Sequence, residues 1–288
     1  MRYNKRPLSI QEQLELLQQR GLNIQNRELA AHFLEHIGYY RLSAYWLPFE
    51  QHHTTGNSRN HTFQPNTSFS QIIRLYAFDC ELRHLVLEAI ERIEISARTQ
   101  WANALAMKYG AHAHLDKTLF ASPHQHDQIV SRLEQDLKNS TETFVVHYRR
   151  NYDTPELPPI WAIVETLSFG SLSRWIKSTK DNAIKKSIAQ NIGLPTVDSL
   201  EKTLHTLTPV RNVCAHHGRL WNRRFAMRPP TIKALRNQMA TDRLAANHLY
   251  NYALVIGLMM AAIDGTGKWV NQLKGLRGSV WVQSGVFG

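Results

Sequence analysis

Apolar residues recur at three- and four-residue intervals along nearly the whole chain, the spacing that gathers them on one side of an α-helix. Near the start, Ser9-Ile10-Gln11-Glu12 reads as a capping box behind Pro7, and Ile10, Leu14 and Leu17 carry the pattern until Gly21 closes the element. A second helix is predicted from about Asn26 to Ile37, with Leu29, Phe33, Leu34 and Ile37 on its apolar side. The longest pattern runs from Ser68 to Tyr109, where Ile72, Leu75, Tyr76, Leu82, Leu85, Val86, Leu87, Ile90, Ile93 and Ile95 form a wide apolar face that stops at Gly110. Strand alternation is not persuasive anywhere, so the prediction is an all-α helical bundle.

Further along, helices are predicted at about 125–150 and 158–168, the latter opened by Pro158-Pro159 and placing Trp161, Ile163, Val164 and Leu167 toward the core. Ser168-Phe169-Gly170 then breaks and restarts the chain, and a short amphipathic element occupies 180–192. Another helix begins near Asp198 or Ser199, with Pro209 expected to kink it or to start a new one at Val210. Past Arg228-Pro229-Pro230, the pattern predicts a short helix over 232–239 and an apolar core helix over 247–263. A polar stretch at 51–67 reads as a linker, and the glycines at 265, 267, 275, 278, 285 and 288 suggest a loosely held end. The expected organisation is an N-terminal helical segment (1–66), a main helical domain (67–266) and a C-terminal tail (267–288).

Charge changes the picture. The 288 residues carry 34 Lys and Arg against 23 Asp and Glu, a formal net charge of +11. No acid occurs between Glu201 and Asp242, while Lys202 to Arg236 holds eight basic residues, so much of the excess is local. A concentrated cationic surface is what attraction to a polyanion requires, although a solvated basic helix face has the same composition. Two cysteines, Cys80 and Cys214, indicate no disulfide framework. The polar, basic start and the short apolar stretch Leu254–Ile263 lead to the expectation of a cytoplasmic protein without a membrane span.

Candidate chemistry concentrates in Arg211-Asn212-Val213-Cys214-Ala215-His216-His217, with Arg219, Asn222, Arg223, Arg224 and Arg228 just beyond. Imidazole moves protons near neutral pH, and guanidinium holds a phosphate through two parallel hydrogen bonds, so the set suits a phosphodiester. On a helix, Asn212 and His216 share a face at i and i+4, while His217 turns away by about 100° and is assigned a supporting role. One such helix offers a single acid–base group on a convex surface. A second copy across a two-fold axis would complete a cleft, and a homodimer with a composite site is therefore expected.

Three other features have blander readings. The aromatic cluster from Tyr39 to Phe49 could stack bases but is read as core packing. Glu94 and Arg98 stand at i and i+4 and are read as a structural ion pair. His112, His114, His124 and His126 form two His-x-His pairs, yet match no recognised zinc spacing; they are read as a polar loop, and no metal or cofactor is assigned.

Several blocks in order resemble the Abi family of bacterial abortive-infection proteins, the AbiD/AbiF-like group, whose core is a HEPN domain. They are Pro7-Leu8-Ser9 with Gln13, Arg20-Gly21-Leu22, Gly38-Tyr39-Tyr40-Arg41-Leu42-Ser43 with Tyr45 and Pro48-Phe49, Glu91-Arg92-Ile93-Glu94-Ile95 with Arg98, Pro159-Ile160-Trp161 with Glu165 and Ser168-Phe169-Gly170, and Arg211-Asn212 with His216-His217 and Arg219-Leu220-Trp221-Asn222.

The resemblance implies a HEPN-like core, metal-independent endoribonuclease activity and a toxin-like role in phage defence. It implies catalytic roles for Arg211, Asn212 and His216; His217, Arg219 and Asn222 are assigned supporting roles, and the basic run assigns RNA contacts to Arg223, Arg224 and Arg228. RNA is then the expected substrate and a candidate inhibitor, and an antitoxin a candidate partner. Two other readings stay open: a non-catalytic RNA-binding or regulatory module, and the HEPN partner of a nucleotidyltransferase in a toxin–antitoxin pair.

Overall fold

The computed structural model describes residues 6–51, 61–242 and 245–284. Among these, α-helices and short 3-10 turns form the whole framework; extended pairing is confined to isolated bridges such as Glu50 with Phe63, and no strand is present. The all-α prediction therefore holds. The described residues fall into two compact units, one drawn from the ranges 6–51, 61–83 and 273–284 and the other from 84–242 and 245–272.

In the first unit, α1 (Ile10–Gln19) starts as expected: the Glu12 amide donates to Ser9 Oγ at 3.3 Å and the Ser9 amide to Glu12 Oε2 at 2.8 Å. The Ser9 backbone bond, aided by Arg6, holds the Glu12 carboxyl down at about 2. Leu14 and Leu17 are buried against α2 (Arg27–His36), which Asn26 caps. The aromatic cluster forms α3 (Tyr39–Trp46) and the turn after it; Tyr45, Trp46 and Phe49 are buried, as the core reading required, whereas Tyr40 faces solvent. Of the linker expected over 51–67, residues 52–60 lie outside the described residues. Its remainder is tied down, with Phe63 N–H donating to the Arg20 carbonyl at 2.8 Å and Gln51 N–H to the Thr62 carbonyl at 2.9 Å.

The helix α4 (Phe69–Tyr109) contributes to both units. Its first turns carry a buried polar knot in the first unit. Tyr45 Oη donates to Asp79 Oδ2 at 2.6 Å, and Arg83 Nη1 donates to the same oxygen at 2.5 Å and to Tyr45 Oη at 3.2 Å. Asp79 is fully buried and Arg83 nearly so. Burial, then the carboxylate of Asp79, pushes the Tyr45 hydroxyl well above the usual phenol range.

In the second unit, the later turns of α4 present Ile90, Ile93, Ala97, Trp101 and Leu105 to the core. One expectation along this face is corrected. Ile95 is half exposed and Glu94 is buried, because Glu94 lies one turn from both Ile90 and Arg98 whereas Ile95 falls off that line. The predicted helices at 125–150 appear as α5 (Pro123–Lys138) and α6 (Thr143–Asn151). The one at 158–168 shrinks to α7 (Ile160–Ile163) and a 3-10 turn, with Ile163, Val164 and Leu167 buried but Trp161 about half exposed. A helix of so few turns has no continuous face to carry every apolar residue inward.

Three helices hold the candidate motif. The first, α8 (Phe169–Ser178), and the second, α9 (Asn182–Asn191), both pack against α10 (Val197–Ala215), which starts with a Thr196–Ser199 capping box. Helix α10 runs through Pro209 without ending or restarting there. Proline forfeits the bond to the carbonyl four residues back, but Leu204, Leu207, Val210 and Cys214 bury one face across that point and hold the helix together. The helix expected at 232–239 is only a 3-10 turn, Lys233–Leu235.

Helix α11 (Leu249–Ile263) is in the core as predicted, with Val255, Ile256, Met259 and Met260 buried. The glycine-rich end starts not as a loose tail but as α12 (Lys268–Ser284). Trp269 explains the difference: its ring is buried, and its indole N–H donates to the Leu85 carbonyl at 2.8 Å. Residues 285–288 lie outside the described residues.

The histidine-rich segment is also corrected. His114 and His126 are not on a polar loop but in the core, 1% and 4% exposed. His126 stacks on Phe120 with centroids 4.8 Å apart, and its Nε2 lies 2.7 Å from the His114 carbonyl oxygen. Burial, with the neighbouring His112 and His126, pushes His114 down to about 3, so its ring packs as a neutral aromatic. His112 and His124 take other partners, Tyr148 and Gln128.

Candidate functional site at the end of α10

The site is built by how α10 stops. His216 is its C-cap: the backbone N–H donates to the Asn212 carbonyl at 3.0 Å, the i, i+4 relation expected of these two residues. His217 then adopts left-handed backbone at φ 56°, its N–H donating to the Cys214 carbonyl at 3.1 Å, while Gly218 N–H donates to the Val213 carbonyl at 2.8 Å. Those two bonds make a Schellman closure. At the end of α9 the same closure uses Gly193, at φ 79°, in the left-handed place; in α10 a histidine occupies it, although a side chain there costs roughly 1–2 kcal/mol. The next position is tight, since a Cβ on Gly218 would lie 3.3 Å from both the carbonyl oxygen and Cγ1 of Val213, and one of them would have to give by a few tenths of an ångström.

This geometry places the predicted residues. Asn212, His216 and His217 are exposed, and Cys214 between them is buried, so the helix turns its amide and imidazole outward while anchoring itself through the thiol side. His217 has left the helix, and its direction is set by the left-handed turn rather than by a 100° step along a helix. Arg219 and Trp221 are half-buried, and Asn222 makes a second left-handed turn at φ 49°. Arg223, Arg224 and Arg228 are exposed.

The basic loop is anchored at several points. Leu220 and Phe225 are buried; Phe225 N–H donates to the Asn247 carbonyl at 3.0 Å, and Asn247 Nδ2 returns a bond to the Phe225 carbonyl at 3.1 Å. Tyr252 Oη on α11 donates to the Met227 carbonyl, and its ring meets that of Phe225 at 5.0 Å. Cations beyond a helix C-terminus also complement the negative end of its dipole. The loop that follows the exposed imidazole in the chain is therefore a held segment with exposed arginines.

The residue that sequence reasoning did not connect to the motif is Glu94. Its Oε2 lies 3.6 Å from Arg211 Nε, and its Oε1 accepts from Arg98 Nη2 at 2.5 Å. Arg98 Nη2 also donates to the Leu167 carbonyl, while Arg98 Nε is buried with no hydrogen-bond partner. The predicted Glu94–Arg98 pair is thus present, and it reaches on to Arg211, whose side chain keeps about a third of its surface exposed. Burial pushes the Glu94 carboxyl above the ordinary range, against the pull of Arg98 and Arg211. The available signal was a carboxylate on the line of Ile90, Ala97 and Trp101. By contrast, Arg92 turns to Glu88 and Asp264, away from this pair.

Arg98→Met should cost about 3 kcal/mol at pH 7.5, the low end for breaking a buried ion pair. The sign of its pH dependence is distinctive. A carboxyl whose folded pKa lies above its unfolded one gains stability as pH falls, because the folded state binds the proton more tightly. Removing Arg98 raises Glu94 further, so the deficit relative to wild type should shrink at pH 5. Urea unfolding at both pH values checks this, and a deficit that widens at pH 5 contradicts the assignment.

No described helix is long and apolar enough to cross a membrane. A search of curated proteins and one of solved structures give no match. A family model described as Abi-like protein matches residues 32–222, about two thirds of the chain, from α2 through the turn at Asn222. On that match, the chain belongs to the Abi-like protein family.

Proposed function

We propose that this protein is a HEPN-type, metal-independent endoribonuclease that acts as an effector in abortive-infection defence against phage. The observation that carries the reading is the end of α10, which turns Asn212 and His216 to solvent beside the part-exposed Arg211 and a held loop bearing Arg219, Arg223 and Arg224. The family membership supports the defence role.

In the proposed reaction the RNA 2′-hydroxyl attacks the adjacent phosphorus. His216 takes the hydroxyl proton, and the P–O5′ bond breaks as a second acid protonates the leaving oxygen, giving a 2′,3′-cyclic phosphate and a 5′-hydroxyl. That second acid is His216 of another copy, because one copy of the motif offers its imidazole on a convex helix end; the active form is a homodimer. Arg211 stabilises charge on the phosphorane, and Asn212 orients the imidazole or a phosphate oxygen. Arg223, Arg224 and Arg228 hold flanking phosphates, which makes binding fall steeply with salt.

A second reading has its own support. Glu94 faces Arg211, and an arginine engaged by a buried carboxylate also suits a structural role, which fits a non-catalytic RNA-binding module. Incubating the purified protein with mixed-sequence RNA in excess EDTA separates the two. Fragments ending in 2′,3′-cyclic phosphate are expected; salt-sensitive binding without cleavage at any protein concentration would favour the binding module.

A further inference from the structure

Helix α2 carries a second constellation, far along the sequence from the motif. His32, Glu35 and His36 stand at i, i+3 and i+4, the spacing that brings three side chains to one face of a helix. The two imidazole centroids are 4.4 Å apart, and one donor atom from each of the three residues lies within 4.8 Å of the others. All three are exposed, while Ala30 and Leu34 bury the opposite face of the same helix. The donors are therefore open to solvent on an element whose other side fixes it in place.

We propose that His32, Glu35 and His36 form a binding site for a divalent transition-metal ion, Zn²⁺ or Cu²⁺. Two imidazoles and one carboxylate are a donor set that suits these ions, and histidines one helical turn apart chelate a single metal. At metal–nitrogen bonds of about 2.0–2.1 Å, two donors on one tetrahedral ion lie roughly 3.3 Å apart. Small side-chain rotations close the present separation to that value, and they need no backbone change because the i, i+4 geometry is already set by the helix. Calcium and magnesium are disfavoured, since both prefer all-oxygen ligands. The remaining coordination positions face solvent and are filled by water or by a ligand from another molecule.

The site on α2 would hold its ion whether or not the protein is a ribonuclease. Its test is Zn²⁺ titration of the full chain, without an affinity tag, by calorimetry or competition with a chromophoric chelator, comparing wild type with the His32→Ala/His36→Ala double variant. The sequence holds 15 histidines, so the readout is the difference between the two proteins. Wild type is expected to bind one more Zn²⁺ per chain than the double variant, and Glu35→Gln to weaken that site by about tenfold, as befits loss of one ligand of three. With one equivalent of Cu²⁺, the electron paramagnetic resonance spectrum should show coupling to two nitrogens in wild type, lost in the double variant. Equal stoichiometry and affinity in wild type and double variant would overturn the proposal. Because both histidines are exposed, unchanged circular dichroism shows that any loss arises from the ligands.

Discussion

His216→Ala is expected to lower RNA cleavage by about 10²–10⁴, the usual contribution of a positioned acid–base group, with little change in thermal stability. The reasoning is geometric. What closes α10 is the backbone of His216, His217 and Gly218, and alanine retains each of those bonds. Only an exposed imidazole is lost. RNA affinity at moderate salt should also survive, because the exposed arginines at 223, 224 and 228 carry the phosphate contacts in this reading. Initial rates on end-labelled RNA, set beside filter binding and a melting curve, give all three quantities. A variant that cleaves as fast as wild type would remove His216 from the mechanism, and a variant that no longer binds would make it an RNA contact instead.

The second large effect lies in the first unit. Asp79→Ala should destabilise the protein by about 4–5 kcal/mol, the upper part of the range for breaking a buried ion pair. Asp79 accepts from both Tyr45 and Arg83, and both donors are buried too deeply for bulk solvent to replace it. Arginine cannot shed its charge to reduce the penalty. Asp79→Asn should cost less, since both bonds end on one oxygen and an amide oxygen in that place still accepts them without the charge, whereas Arg83→Met, which leaves an ionisable carboxyl that can take up a proton, should fall between them at low pH. Urea unfolding at pH 7 reads the order of the two Asp79 variants directly, and a second series at low pH places Arg83→Met. A loss below about 1 kcal/mol for Asp79→Ala would mean that solvent reaches the knot.

The sequence is most legible where periodicity is strong. Helix α4, with its 41 residues of repeating apolar positions, matches its predicted range to within a residue at each end, and the capping box at Ser9 marks the start of α1. Short elements escape because one turn gives no repeat to read: α7 and the 3-10 turn at 233–235 are each shorter than the pattern predicts. At Pro209 the expectation that fails is a new helix at Val210, since α10 continues through it. The proline's local penalty is visible in the sequence, and the tertiary burial that outweighs it is not. The histidines at 114 and 126 look polar in the sequence, while the fold uses their rings in the core, that of His126 beside Phe120 and Trp175.

At the candidate site, the exposed residues on α10 are accessible from spacing alone. The partner of Arg211 is not, since Glu94 is 117 positions away in sequence, as their numbers show, and ion pairs between helices leave no local pattern. The metal-ligand spacing at His32, Glu35 and His36 is present in the sequence, but the apolar stripe of the same helix dominates its pattern and points to packing.

The left-handed turn at His217 has a further consequence for how the basic loop is aimed. A helix is a screw, and each residue added or removed before its closure rotates the downstream chain by about 100° and shifts it by about 1.5 Å along the axis. By ending α10 at a defined step, with Gly218 packed closely on Val213, the chain sets the angle at which it leaves the helix after the imidazole of His216. A one-residue insertion between Arg211 and Gly218 would thus rotate the point where the chain leaves α10 against the fixed anchors of the loop at Phe225 and Met227, while leaving the composition of the surface almost unchanged.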